Sequence, residues 1–210
     1  MATPVPLTEH ITAERAAFLD LLDSLEAAEF KTPSLCKGWT VADVAAHAIS
    51  YDRINPFRYV PLFVGSGFSI DRVNGRMVSW WRRRGTEAVV DAFRRSPTPR
   101  GMMRLLGHRI ALLDIFIHQQ DVRRPIGRPR DIPSDRLTTV GELLRHHRIG
   151  AGGAERAKGL RFQAEDIEWS AGDGPVVRGP AEAILMALAG RRTALDELGG
   201  EGKQQFAERV

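Results

Sequence analysis

The chain contains little that would support a covalent scaffold or a membrane anchor. Its 210 residues include one cysteine, Cys36, so no intrachain disulfide can form and a cysteine-rich zinc finger is excluded. No stretch approaches the roughly 18 to 20 uninterrupted apolar residues that cross a bilayer, and the first residues carry neither a basic start nor an apolar signal core. We therefore expect a soluble, cytoplasmic protein with no membrane partner.

The chain has only a small excess of positive charge. The net charge of +4 permits an anionic ligand without requiring one. The run Trp80-Trp81-Arg82-Arg83-Arg84 could stack on and neutralise nucleic acid, but five residues do not form a groove. A solvated helix end with its tryptophans packed inside is the preferred interpretation, so we predict no nucleic-acid partner.

The first two thirds of the chain carry apolar residues at helical spacing. The first helix is predicted over 7–28, and a capping box of Thr40 and Asp43 begins a second that runs from Val41 to Asp52. Prolines and glycines predict irregular chain over 56–67. Further helices are predicted at 70–82, 87–95, 102–122 and 135–147.

The pattern changes after a glycine-rich linker at 150–153. Short alternating segments, split by Gly172-Asp173-Gly174, predict two or three strands with tight turns, and a last helix is predicted from Ala181 to Leu198. The expected fold class is therefore α+β, with a helical bundle over 1–150 and a small C-terminal α/β domain over 151–210.

One segment of the longest helix combines acid and base in an apolar run. Asp114 and His118 are four residues apart and so share a helix face, where an unpaired carboxylate would need a cation or strong hydrogen-bond donors. His47, at the border of the apolar stripe of the second helix, could supply a third ligand and leave an open position, as in catalytic zinc sites. The alternatives are that Asp114 pairs with His118 or Arg109, and that His47 is a hydrogen-bonded edge histidine.

Three blocks in the same order resemble the mycothiol-dependent maleylpyruvate isomerase family. They are Leu35-Cys-Lys-Gly-Trp-Thr-Val-Ala-Asp-Val-Ala-Ala-His47, then His118-Gln-Gln-Asp-Val-Arg-Arg-Pro-Ile-Gly127, and a C-terminal block with Ala164-Glu-Asp-Ile-Glu-Trp169, Gly172-Asp-Gly-Pro-Val-Val-Arg-Gly-Pro180 and Ala189-Gly-Arg191. The resemblance extends over nearly the whole chain.

The resemblance implies a DinB-like four-helix bundle that binds zinc or another divalent metal. The ligands would be a histidine on the second helix and an acidic residue four positions before another histidine, which His47, Asp114 and His118 match. The family's acid is often glutamate, so the shorter aspartate leaves the metal preference open. The thiol cosubstrate would be mycothiol, held at the metal as a thiolate that attacks a small electrophilic or anionic substrate.

Three further residues are candidates for the site. Asp121 and Arg191 match family positions as catalytic residues: Asp121 to orient a bound group, and Arg191 to bind an anionic substrate or cofactor carboxylate. The alternatives are a helix-end acid paired with Arg123 or Arg124 and an ordinary surface arginine. Cys36, before a helix N-terminus, could itself be a nucleophile, although a small buried apolar residue is the preferred interpretation.

The resulting prediction is an enzyme, a zinc- and mycothiol-dependent isomerase or S-transferase. The alternatives are a metal-dependent hydrolase, for which the sequence offers no dedicated general base, and a non-enzymatic binding module with a structural polar cluster. A homodimer is compatible with the sequence.

Overall fold

The computed structural model describes residues 5–147 and 152–210, which form two compact units, Met1–Pro129 and Arg130–Val210. The first unit is helical and the second combines helices with a small sheet, so the α+β prediction is confirmed. Within the described residues, no helix has both the length and the apolar character to cross a bilayer.

Seven helices make up the described part of the first unit. They are α1 (Leu7–Ser24), α2 (Val41–Arg53), α3 (Pro56–Val64), α4 (Ile70–Arg82), α5 (Thr86–Arg94), α6 (Gly101–Leu106) and α7 (His108–Arg123). Helix α1 packs against α5 and α7, and α2 packs against α4, α5, α6 and α7. Because α2 touches most of the other helices, eleven of its side chains are buried, His47 among them.

The start of α2 is fixed by the predicted capping box. The Asp43 backbone N–H donates to Thr40 Oγ1 (3.3 Å), and the Thr40 N–H donates to the Asp43 carboxylate (2.9 Å). Arg82 at the end of α4 donates twice to the same carboxylate, at 2.7 Å each. These bonds stabilise the first turn of α2 and so fix the direction in which His47 enters the bundle.

Buried polar bonds hold α1 against its neighbours. Arg15 on α1 forms an ion pair with Asp52 on α2 (3.0 Å), and Asp52 also accepts the backbone N–H of Arg100 (2.6 Å). Gln119 on α7 donates to both the carbonyl and the carboxylate of Glu14 on α1, at 3.0 and 3.1 Å. Because a buried charge is costly unless paired, these bonds restrict how α1, α2 and α7 can pack.

Three helix predictions in the first unit were wrong in detail. The stretch expected to be irregular contains α3, which begins where Asn55 Oδ1 accepts the Arg58 N–H (3.0 Å) and Pro56 occupies the first helical position. The long helix expected over 102–122 is broken into α6 and α7 at Gly107, whose φ is +96°, a conformation that favours glycine. Helix α1 ends at Ser24 rather than at residue 28.

The described part of the second unit contains a three-stranded sheet and four helices. Strand β1 (Arg161–Ala164) lies in the middle, antiparallel to β2 (Ser170–Ala171) and parallel to β3 (Val176–Gly179), with Phe162 opposite both Ala171 and Val177. The helices are α8 (Ser134–His146), α9 (Gly153–Ala157), α10 (Ala181–Leu188) and α11 (Lys203–Ala207). Helix α10, buried along its whole length except Glu182, packs against α8, β1 and β3.

The predicted last helix is shorter than expected. Helix α10 stops at Leu188 because Gly190 takes a φ of +90°, and a 3-10 segment, Arg192–Glu197, follows. Helix α8 packs with α9 and α10 in the second unit, which begins at Arg130, whereas a domain boundary near residue 150 was expected. That boundary stays a prediction, because residues 150 and 151 of the expected linker lie outside the described residues.

Candidate metal centre

Helices α2 and α7 bring His47, Asp114 and His118 together. The Asp114 carboxylate oxygen Oδ1 lies 3.7 Å from His47 Nε2 and 3.6 Å from His118 Nε2. One ligand atom from each of the three residues lies within 4.8 Å of the other two. Asp114 and His118 share a face of α7 because they are four residues apart, and His47 faces them because the capping box begins α2 at Val41.

These separations fit a single small cation. Zinc bonds of about 2.0–2.1 Å to nitrogen and oxygen, at tetrahedral angles, place neighbouring ligand atoms about 3.4 Å apart. The observed 3.6 and 3.7 Å exceed that spacing by a few tenths of an ångström, which a small side-chain rotation would close. Two imidazoles and one carboxylate supply three ligands and leave a fourth position for another group.

His118 is held from its opposite side by Asp121. The His118 Nδ1 atom lies 3.0 Å from Asp121 Oδ2, and the Asp121 side chain is fully buried one turn along α7. This bond places a proton on Nδ1, so Nε2, the atom that faces Asp114, is the nitrogen that would bind a metal ion after giving up its own proton. The arrangement is the carboxylate–histidine pairing that commonly orients a metal ligand.

Cys36 also contacts Asp121. Its Sγ lies 3.1 Å from Asp121 Oδ2 and 3.7 Å from His118 Nδ1, so the thiol donates to the carboxylate that holds His118. The loop that carries Cys36, before α2, is held next to α7 by the hydrogen bond from the Leu35 N–H to the Asp121 carbonyl (3.1 Å). Sequence reasoning missed this contact, because neither helical periodicity nor spacing relates Cys36 to a residue 85 positions later.

The electrostatics of the metal-free site follow from burial and pairing. Burial lowers the pKa of His47, and its hydrogen bond to Asp114 offsets only part of that effect. Burial also acts against the charged form of His118, but Asp121, Cys36 and Asp114 outweigh it and raise the pKa of His118 to about 10. Although burial alone would raise the pKa of Asp114, the two histidines hold it below its ordinary value. The site therefore contains an anion stabilised by neighbouring positive charge.

The second nitrogen of His47 has a different environment. Its Nδ1 atom is buried and has no hydrogen-bond partner among the described residues. The ring is instead surrounded by other rings, with Trp39, Tyr51 and His118 at centroid distances of 5.0, 6.0 and 4.7 Å. His47 is thus positioned by packing and His118 by a charged hydrogen bond.

A second group of ligand-type atoms shares His118 with the first. Cys36, His118 and Asp121 also lie within 4.8 Å of one another. Their separations of 3.0 and 3.1 Å are ordinary hydrogen-bond distances, and the Asp121 side chain is completely buried. Each group has one buried and two partly exposed members, so the spacing of the ligand atoms, rather than exposure, favours the first group as the cation site.

The other sequence candidates occupy distinct positions. Arg191 lies in the second unit, where its guanidinium donates to the Ala189 carbonyl (2.7 Å), so its role as an anion clamp stays a prediction. Trp81 is buried and donates to Ser50 Oγ (3.1 Å), as the packed-tryptophan interpretation expected. For Trp80 the same expectation was wrong, because its side chain is 40% exposed and carries the Arg84 guanidinium over its ring at 3.4 Å.

Comparison with solved structures identifies the class of fold. The crystal structure of the mycothiol-dependent maleylpyruvate isomerase matches with a TM-score of 0.61 and 19% sequence identity, over 97% of each chain. A crystal structure of a histidine-to-alanine mutant of that isomerase matches with the same values. At this identity the likeness establishes the fold, which is that of the DinB-like maleylpyruvate isomerases.

The sequence comparison points to the same family. The family model of the mycothiol maleylpyruvate isomerase N-terminal domain matches residues 11–56, the segment that contains His47. The resemblance to the mycothiol-dependent maleylpyruvate isomerase family is therefore confirmed by both the N-terminal sequence and the fold. No curated protein sequence matches the chain.

Proposed function

We propose that the chain is a metal- and thiol-dependent enzyme, an isomerase or S-transferase that uses mycothiol as its thiol cosubstrate. His47, Asp114 and His118 would bind one divalent ion, with zinc as the first candidate. The observation that carries the proposal is the convergence of their three ligand atoms from α2 and α7, with spacings suited to one cation. The family resemblance supplies the thiol and the reaction class.

A divalent ion at this position would supply positive charge that holds a thiol as a thiolate at neutral pH. The protein's own residues would do the remaining work. Asp121 fixes the His118 ring and its protonation through the 3.0 Å bond to Nδ1. The thiol would approach the partly exposed edge of Asp114 and His118, and the rings of Trp39 and Tyr51 pack against His47.

Arg191 and Asp121 have different places in the proposal. Asp121 contacts a proposed ligand directly and is assigned as a positioning residue. Arg191 would bind a carboxylate of the substrate or of mycothiol, an assignment supported by its match to a family position and by the suitability of guanidinium for carboxylates. An Arg191→Gln variant should raise KM for an anionic substrate while the metal content stays unchanged.

Metal content tests the first step of the proposal. Purified wild type should contain near-stoichiometric zinc, and His118→Ala should lose it while its far-UV circular dichroism stays that of the wild type. His108→Ala is the matched control, because His108 is an exposed histidine at the start of the same helix. Wild-type protein that folds and turns over substrate without metal would refute the proposal.

Thiol dependence separates the proposed reaction from its alternatives. Turnover of a reactive electrophile should require added mycothiol, whereas a metal-dependent hydrolase would be fully active without thiol. A binding module would show no turnover in either condition. The buried Asp121 is committed to His118 and Cys36, so it is poorly placed to act as the general base that hydrolysis needs.

A further inference from the structure

A pocket in the first unit contains an unusual set of side chains. It has a volume of about 240 Å³ and lies between α2, α3 and α4. Neither the three proposed metal ligands nor Asp121 and Cys36 line it. The residues that line this pocket are therefore distinct from those of the candidate metal centre.

Three arginines from three helices line this pocket. Arg53 ends α2, Arg58 lies in the first turn of α3 and Arg76 lies in the middle of α4. The lining contains no aspartate or glutamate, and in the described part of the chain none of the three guanidinium groups forms an ion pair. Neighbouring Arg72, by contrast, donates to the carbonyls of Ser66 and Gly67.

The remaining lining is almost wholly apolar. Met77 and Trp81 are buried, and Ile54, Leu62 and Trp80 complete the apolar wall. The polar atoms of the floor are already satisfied, because Ser50 Oγ donates to the Ala46 carbonyl (2.6 Å) and accepts the Trp81 indole N–H (3.1 Å). The donors left for a ligand are therefore the guanidinium groups at the rim.

We propose that this pocket is a binding site for a small organic anion with an apolar body, an aryl carboxylate being the simplest example. The three arginines are exposed and have no acidic partner among the described residues, so an anion at the rim would meet three available guanidinium groups, and guanidinium binds carboxylate through paired hydrogen bonds. The volume equals that of roughly eight water molecules, which suits a single small ring with its acid group. Tryptophan and methionine side chains give the ring an apolar surface.

The test is a fluorine NMR titration of 4-fluorobenzoate into the full chain, with a chelator present so that no carboxylate binds through a metal. We expect saturable binding, weakened about tenfold in Arg53→Gln and in Arg76→Gln because each removes a charge-assisted hydrogen bond. Arg83→Gln removes an exposed arginine at the end of α4 that does not line the pocket, and should bind as the wild type does. Two independent arginine variants keep the test usable if one fails to fold.

Four results would overturn the proposal. They are no saturable binding to the wild type, an equal loss in Arg83→Gln, equal affinity for the neutral 4-fluorobenzyl alcohol, and full displacement of the probe by an equal concentration of inorganic phosphate. The second would mean that net charge alone attracts the probe, the third that the pocket is merely apolar, and the fourth that the ligand is inorganic. Because the titration is run without metal, none of these results bears on the proposed enzyme activity.

Discussion

Replacing Asp121 with asparagine isolates the charge behind His118. The amide keeps the size of the side chain and an acceptor oxygen, but it removes the negative charge that accepts from His118 Nδ1 at 3.0 Å and from Cys36 Sγ at 3.1 Å. Changes to residues that orient a metal ligand typically weaken metal binding 10- to 100-fold. We therefore expect Asp121→Asn to lose about 1.4–2.8 kcal/mol of zinc-binding free energy at pH 7.

The assay is a competition titration of zinc between the protein and a chromogenic chelator. Asp91→Asn is the control, because Asp91 on α5 pairs with Arg94 (2.8 Å) and contacts no proposed ligand, so the zinc affinity of this variant should equal that of the wild type. An Asp121→Asn affinity within twofold of the wild type would refute the role assigned to this carboxylate.

The same variant has a signature in the metal-free protein. The pKa of His118 is raised from an ordinary 6.5 to about 10, so its contribution to stability is fully present below pH 6.5 and is lost as the pH rises toward 10. Asp121 supplies the largest share of that increase, so chelated wild type should lose more stability between pH 6.5 and 10 than chelated Asp121→Asn. Urea unfolding at several pH values measures this, and parallel pH profiles would contradict it.

Two further predictions concern stability. Asp43→Asn should lower the free energy of unfolding by about 1–2 kcal/mol at pH 7, because it weakens the α2 cap and the pair with Arg82. Since the pKa of Asp43 is lowered in the folded protein, the difference from wild type in urea unfolding should shrink as the pH falls below 3.8. A difference that stays constant with pH would contradict this. Gly141→Ala should lower the midpoint of thermal unfolding, because a Cβ there would lie 2.6 Å from the Trp169 ring. Gly75→Ala has open space around the added Cβ and should raise the free energy of unfolding by up to about 1 kcal/mol. A change in the same direction for both variants would refute this reasoning.

Much of the bundle could be predicted because its signals are local. The capping box of Thr40 and Asp43 predicted the start of α2 correctly, since both bonds lie within one turn. The break at Gly107 and the helix at Pro56–Val64 were missed, because a glycine inside an apolar run and prolines near a helix start each permit two backbone outcomes. Tertiary packing decides between those outcomes, and a single sequence does not contain it.

The candidate site, like the fold, could be predicted only in part from the sequence. The spacing of Asp114 and His118 on one helix face follows from the helical period alone, but their proximity to His47 depends on how α2 packs on α7. The resemblance supplied that pairing and also drew attention to Asp121. The bond between Cys36 and Asp121 had no signal in spacing, composition or charge, because it joins a loop to a helix that is distant along the chain.

The hydrogen bond between His118 Nδ1 and Asp121 also bears on the proposed metal site when no ion is bound. A histidine ring held only by its bond to a metal ion would be free to rotate once the ion dissociated. His118 is also held by its hydrogen bond to Asp121, so its ring should keep its orientation without an ion. We therefore expect a divalent ion to bind at the proposed site without any rearrangement of α2 and α7.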